Sequence, residues 1–182
     1  MFSGATDSGN YYMMHQEYDP MGQLAWLEAQ LKSAEQNNND VLLAKHIPIG
    51  SGSMSRAFER HFLVLAERYE NIIRGLFTAH SHADHMKFIR RSPEMPINFM
   101  EFITPSLTTR GKINPSFRLW LFDDETNAIL DYDQYSMDIS NRAALNDPKK
   151  VPQWVKTYSF LAEYGMTDFS SFTEWEALYQ KF

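Results

Sequence analysis

The chain contains no cysteine. A disulfide framework and a thiolate metal site are both excluded, so any metal held here must use nitrogen and oxygen ligands. No apolar run approaches the ~20 residues that cross a bilayer, so no transmembrane segment is expected. The opening residues, Met-Phe-Ser-Gly-Ala-Thr-Asp-Ser-Gly, have neither the basic start nor the apolar stretch of a signal peptide. There is no excess of basic charge: 17 Lys and Arg stand against 23 Asp and Glu, a net charge of −6. That argues against nucleic acid as a partner, because non-specific binding to a polyanion needs a basic surface. The nucleophile-elbow pattern Gly-x-Ser-x-Gly is absent, which leaves serine hydrolysis without support. Ser51-Gly52-Ser53 lacks the Gly-Lys-Ser/Thr ending of a phosphate-cradling loop and reads as a flexible loop.

What is present describes a globular α/β chain. The 182 residues are 43% hydrophobic and 14% aromatic, enough for one good core and a small appendage. Residues 1–18 are polar and lack a period, and read as a leader or a cut edge. Asp19-Pro20 is expected to open a helix, with Asp19 as N-cap and Leu24, Leu27, Leu31 and Ala34 on one face. Asn37-Asn38-Asn39-Asp40 stops it. Val41-Leu42-Leu43-Ala44 then reads as a short buried strand. A helix is expected from about Ser55 to Arg74, with Phe58, Phe62, Leu65 and Tyr69 inward and Gly75 as its C-cap. Leu76–Ala79, Ile97–Thr104, Phe117–Phe122 and Ile129–Tyr135 read as strands, the last two joined by a hairpin loop at Asp123–Asn127. From Val151 the pattern turns helical, with Trp154, Tyr158, Leu161 and Tyr164 sharing a face as far as Gly165. Ser171-Phe-Thr-Glu174 is a capping box for a last helix.

The chemistry concentrates in His80-Ser81-His82-Ala83-Asp84-His85, which holds three of the six histidines. Imidazole is a common ligand for zinc, and a fold has little reason to crowd three of them, mutually repelling when protonated, without a ligand. His46 and His80 each follow an apolar strand, and ligand sites in open α/β sheets lie beyond the carboxyl ends of strands. Taken alone, His46 reads better as a solvated loop residue; the strand-end context and the nearby cluster bring the two readings level. His15 and His61 carry no such context and read as surface residues. Met13, Met14, Met21, Met54, Met86, Met95 and Met100 show no ligand spacing and read as core filler.

Two metal-site families share this spelling. His80-x-His82-x-Asp84-His85 matches the metallo-β-lactamase signature, but that family needs further histidines downstream and none follows His85. The other resemblance runs in order along the chain. Asp19-Pro-Met-Gly-Gln-Leu-Ala-Trp-Leu-Glu28, Lys45-His-Ile-Pro-Ile-Gly50, Arg68-Tyr-Glu-Asn71 and Phe77-Thr-Ala-His-Ser-His82 resemble the acid sphingomyelinase-like branch of the calcineurin-like metallophosphoesterases. So do Phe102-Ile-Thr-Pro-Ser106, Asn114-Pro-Ser-Phe-Arg118, Trp154, Tyr158-Ser159 and Glu163-Tyr-Gly165. Lys45 and Ala79 stand where the family has glycines before its ligand histidines, and Ile49 where it has a proline.

The resemblance implies the C-terminal half of an αββα sandwich over residues 19–139, with a small helical C-terminal subdomain over 140–182. It implies His46 and His80 on one metal and His82 on a second, in a site that when complete holds two zinc ions. Asp84 and His85 are not expected to bind metal. The implied reaction is hydrolysis of a phosphodiester, in a phospholipid head group or a nucleotide-like substrate. The family's upstream motifs, Asp-x-His, Gly-Asp and Gly-Asn-His, supply the bridging carboxylate and the general acid. None lies among the 45 residues before His46, so the chain is expected to carry only part of the site, no complete catalytic set, and no activity alone. The alternative is a truncated paralogue acting as a non-catalytic binding module. A half-domain would also expose a sheet edge and favour self-association. The resemblance implies a secreted or lysosomal setting.

Overall fold

The structure is a computed structural model and describes residues 18, 19, 21–90, 92, 94–140, 147 and 151–182. The expected leader and Pro20 lie outside the described residues, except Tyr18. Two sheets and four helices form the described fold. The first sheet has the order β1-β2-β4-β3, from Val41–Ala44 (β1), Ile73–Thr78 (β2), His85–Ile89 (β3) and Phe99–Ile103 (β4). β1, β2 and β4 run parallel, and β3 pairs antiparallel with β4. The second sheet is an antiparallel set of Ser116–Phe122 (β5), Ile129–Met137 (β6) and Trp154–Ser159 (β7), with β6 central.

The period-two alternation along β2 and β4 feeds two cores. Leu76 and Phe99 pack with helices α1 (Gln23–Gln36) and α2 (Arg56–Arg68), through Leu24, Leu31, Phe58, Phe62 and Ala66. Phe77, Met100 and Phe102 face the other way and meet Tyr132 and Trp120 of the second sheet. Two short helices, α3 (Phe160–Tyr164) and α4 (Phe172–Tyr179), close that second core with Phe160, Trp175 and Leu178. Tertiary packing therefore stacks helices, sheet and sheet, which buries both faces of β4 completely.

Several boundaries differ from expectation. Asp19 is not the N-cap of α1. Gly22 holds that position at φ 65, and the Asp19 carboxylate reaches over it to accept from the amides of Leu24 (2.9 Å) and Ala25 (3.1 Å). β1 is not buried: alternate residues face solvent, Leu42 is 47% exposed, and the strand has one neighbour among those described. Helix α2 begins at its cap Ser55 but stops at Arg68, and the chain turns through residues 69–72 into β2. Gly75 is thus no C-cap. It is buried inside β2, where a Cβ would meet Ile129 and Phe77 carbons at 3.0 Å, so the close approach of the second sheet requires the glycine.

Residues 154–159 are a strand, not a helix. Cross-strand pairing with β6 overrides the helical spacing of Trp154, Tyr158, Leu161 and Tyr164, and the helix starts only at Phe160. Met21 (61%) and Met95 (43%) lie on the surface rather than in a core. The Ser171 hydroxyl caps α4 by accepting from the Glu174 amide, but Glu174 does not return the bond. Its carboxylate accepts instead from the Thr167 amide (2.7 Å) and hydroxyl (2.6 Å), tying down the preceding turn.

Candidate functional site

Three parallel strands deliver their carboxyl ends to one edge of the first sheet. Hydrogen bonds continue the pairing just past the strands: Lys45 N–H to Phe77 O (3.0 Å), Ala79 N–H to His46 O (3.0 Å) and Thr104 N–H to Thr78 O (2.7 Å). The loops after β1, β2 and β4 are held side by side as a result. Register, rather than closeness in the chain, sets His46 against His80 across a separation of 34 residues.

The two rings approach with His46 Nε2 and His80 Nδ1 3.3 Å apart and the ring planes nearly perpendicular, at 84°. His80 Nε2 lies 3.2 Å from the Ser53 hydroxyl. A cavity of about 600 Å³ opens over them, lined by His46, His80, Ser81, His82, Arg110, Gly111 and Ile113. His80 and His82 both hold left-handed backbone, at φ 70 and 62. Non-glycine residues adopt that conformation uncommonly, and such strain collects at functional sites. His82 faces the cavity but joins neither ring of the pair.

The pair suits a tetrahedral ion. Zinc–nitrogen bonds of about 2.0–2.1 Å put two ligands ~3.3–3.4 Å apart; the observed 3.3 Å falls there and is long for a direct hydrogen bond. The Ser53 contact on the far nitrogen is the kind of second partner that fixes a ligating ring. The number of donors falls short, however. Among the described residues no group of three or more His, Asp or Glu side chains comes together at metal-holding distance.

A buried carboxylate holds the His46 loop. Glu101 shares its face of β4 with Phe99, has 0% exposure, and accepts the Ile49 amide on both oxygens, at 3.0 and 3.2 Å. Lys45 donates to Ile47 O (2.7 Å), and Lys87 on β3 donates to Ile49 O. Burial pushes the Glu101 carboxyl above its usual range, against the Ile49 amide, Lys45 and Lys87, which favour the charged form. Burial likewise brings the Lys45 amine down to about 8, with Glu101 and Glu59 opposing. The Lys45 amine thus sits against the Ile47 carbonyl and 4.6 Å from the centre of the Phe62 ring.

Asp84 and His85 belong to the scaffold. Asp84 bridges the sheets, accepting from the Arg118 guanidinium on β5 and the Tyr158 hydroxyl on β7. Arg118 is itself buried, donates to Gln134 at 2.8 Å and lies over the Tyr132 ring at 4.4 Å. His85 opens β3 with its side chain toward solvent. The six-residue spelling is thus divided between cavity and framework. His61 stacks on Tyr18 at 3.9 Å on the exposed side of α2; His15 lies outside the described residues. Ser53 and Arg110 went unread in the sequence, since Ser51-Gly52-Ser53 carried only a loop signal and Arg110 sits in no motif.

No family model matches the chain. Curated relatives do match it. Sphingomyelin phosphodiesterase of Bos taurus is 29% identical over 163 residues, covering 86% of this chain and 25% of its own length. Sphingomyelin phosphodiesterase 2 of Caenorhabditis elegans is 31% identical, covering 88% of this chain and 26% of its own length. A cyclic GMP-AMP phosphodiesterase of Rattus norvegicus is 26% identical, covering 82% and 36% respectively. The chain thus spans about a quarter to a third of the length of these relatives. Its two sheets and few helices are consistent with part of a metallophosphoesterase fold. Over most of its length the chain is similar to the C-terminal part of the sphingomyelin phosphodiesterases and acid sphingomyelinase-like phosphodiesterases.

Proposed function

We propose that this chain supplies one side of a two-metal phosphodiesterase site, with His46 and His80 on one zinc ion and His82 facing a second. The observation that carries the reading is the 3.3 Å convergence of His46 Nε2 and His80 Nδ1 at the ends of neighbouring parallel strands. Zinc in such a site supplies Lewis-acid polarisation of a phosphoryl oxygen and a water acidified toward neutral pH. The chain's own residues perform the positioning. Glu101, through Ile49, fixes the loop that carries His46, and Ser53 orients the His80 ring. The Asp84–Arg118–Tyr158 bridge locks the loop carrying His80 and His82 to the second sheet.

Two converging nitrogens do not make a closed site, and the remaining ligands must come from outside the described residues. The fold is then half of an αββα sandwich, and the substrate is a phosphodiester of the phospholipid or nucleotide type. The chain by itself does not turn over. Assay of the purified chain with added zinc and bis-p-nitrophenyl phosphate should show no chelator-sensitive hydrolysis; robust turnover overturns the half-site. A second reading, a binding module without chemistry, is favoured by the lack of a third converging ligand among the described residues. Zinc stoichiometry separates the two: His46- and His80-dependent uptake of an ion supports the half-site, and no uptake supports the module. A secreted or lysosomal setting is part of the proposal, and no described helix is long and apolar enough to cross a membrane.

A further inference from the structure

The third strand-end loop brings a residue of its own to the cavity. Residues 104–115 follow β4, and Arg110 and Gly111 from that loop line the same space as His46, His80 and His82. The loop is a braced structure. Ser116 N–H donates to Ser106 O (2.9 Å) across its base, Lys112 N–H to Thr109 O (3.1 Å), and Arg110 N–H to the Thr108 hydroxyl (3.3 Å). Gly111 and Lys112 are both left-handed, at φ 88 and 63. Arg68, Arg74, Arg90 and Arg118 are each paired with a carboxylate; Arg110, like Arg56 and Arg60, has no ion pair among the described residues.

Among the described residues the lining contains no Asp or Glu to pair with a cation. It contains one permanent cation beside three imidazoles. A guanidinium pairs with a phosphate in a planar fork. Sphingomyelin, by contrast, carries a trimethylammonium two carbons from its phosphodiester, which would meet Arg110 as a like charge.

From this we infer that Arg110 is a specificity residue that selects phosphodiesters carrying a second anionic group next to the reacting phosphate, and disfavours choline-bearing ones. The inference deepens the phosphodiesterase reading and rests on it for the placement of the reacting phosphate. The shared chemistry is a pair of adjacent phosphates or a phosphate beside another anion, as in a nucleoside diphosphate or an anionic lipid head group.

The test is calorimetric binding to the whole chain in the presence of zinc, using inorganic pyrophosphate, ADP and phosphocholine, with sedimentation onto vesicles of phosphatidate in phosphatidylcholine. Pyrophosphate should bind about tenfold or more tightly than phosphocholine. R110Q should weaken pyrophosphate about tenfold and leave phosphocholine unchanged or improved, and R110K should recover part of the loss. K112Q, which removes a neighbouring cation outside the cavity lining, should change it less than about twofold. ADP bound as tightly as pyrophosphate, without vesicle binding, identifies a nucleotide-type source; Arg110-dependent vesicle binding identifies a lipid source. Phosphocholine binding equal to pyrophosphate, indifference to R110Q, or equal losses in R110Q and K112Q each overturns the proposal. The H46A variant keeps the two readings distinct. If the Arg110 dependence persists while zinc no longer matters, the metal reading fails; if zinc dependence persists while R110Q is silent, the specificity reading fails.

Discussion

Removing the Glu101 carboxylate should cost more than any surface charge in this chain. In Glu101→Ala the Ile49 amide, 7% exposed at the residue level, loses its acceptor. A buried donor left unpaired costs about 1–3 kcal/mol. Lys45 and Lys87 lose the anion that offsets their burial, and breaking a buried charge cluster by deleting one partner costs ~3–5 kcal/mol in comparable cases. These contributions overlap, so the expected total is about 3–5 kcal/mol. Glu101→Gln keeps an acceptor for Ile49 and loses only the charge, for ~1–2 kcal/mol. Urea unfolding followed by tryptophan fluorescence reads the difference. With a slope near ~2 kcal/mol per molar, the midpoint of the alanine variant should fall by about 1.5–2.5 M. A cost below about 1 kcal/mol for Glu101→Ala refutes the clamp.

Three further outcomes follow from the same geometry. Asp84→Ala should cost about 2–4 kcal/mol by stranding the Arg118 guanidinium, whose side chain is 1% exposed, while Asp84→Asn costs less; equal, negligible losses contradict the inter-sheet bridge. Burial pushes the Tyr132 hydroxyl up from 10.0 to about 12. Burial and the bond to Asp84 also raise that of Tyr158. Their stabilisation is complete below pH 10 and is lost as pH rises toward about 12. Unfolding free energy should fall there by up to ~1.4 kcal/mol per pH unit for each tyrosine, and a flat profile contradicts this. The edge that β1 leaves without a neighbour among the described strands should make the chain self-associate with rising concentration in sedimentation velocity, and Leu42→Lys should suppress it; a monomer at all concentrations contradicts it.

Much of the scaffold was legible because apolar runs and turn residues punctuate it. Val41–Ala44, the helix start near Ser55, the Asp123–Asn127 hairpin and the Ser171 cap all stand where local chemistry puts them. What local chemistry misread was decided by partners distant in the chain. Gly75 spells a helix stop but is demanded by Ile129 across the sheets. The 154–164 spacing fits a helix until β6 pairs with its first half. The strand His85–Ile89 was hidden because its first residue completed a metal signature. The site followed the same division. The strand-end position of His46 and His80 was visible in sequence, but Glu101 sat inside an apolar run, and Arg110 acquires meaning only when three loops meet at one cavity.

The central claim, that His46 and His80 form one half of a metal site, is tested most directly by zinc titration of the chain and its variants. The account predicts that the parent binds zinc, that His46→Ala and His80→Ala each abolish measurable binding, and that His61→Ala, on the exposed face of α2, leaves it unchanged. Zinc binding that survives both cavity substitutions, or that is lost equally with His61→Ala, contradicts it.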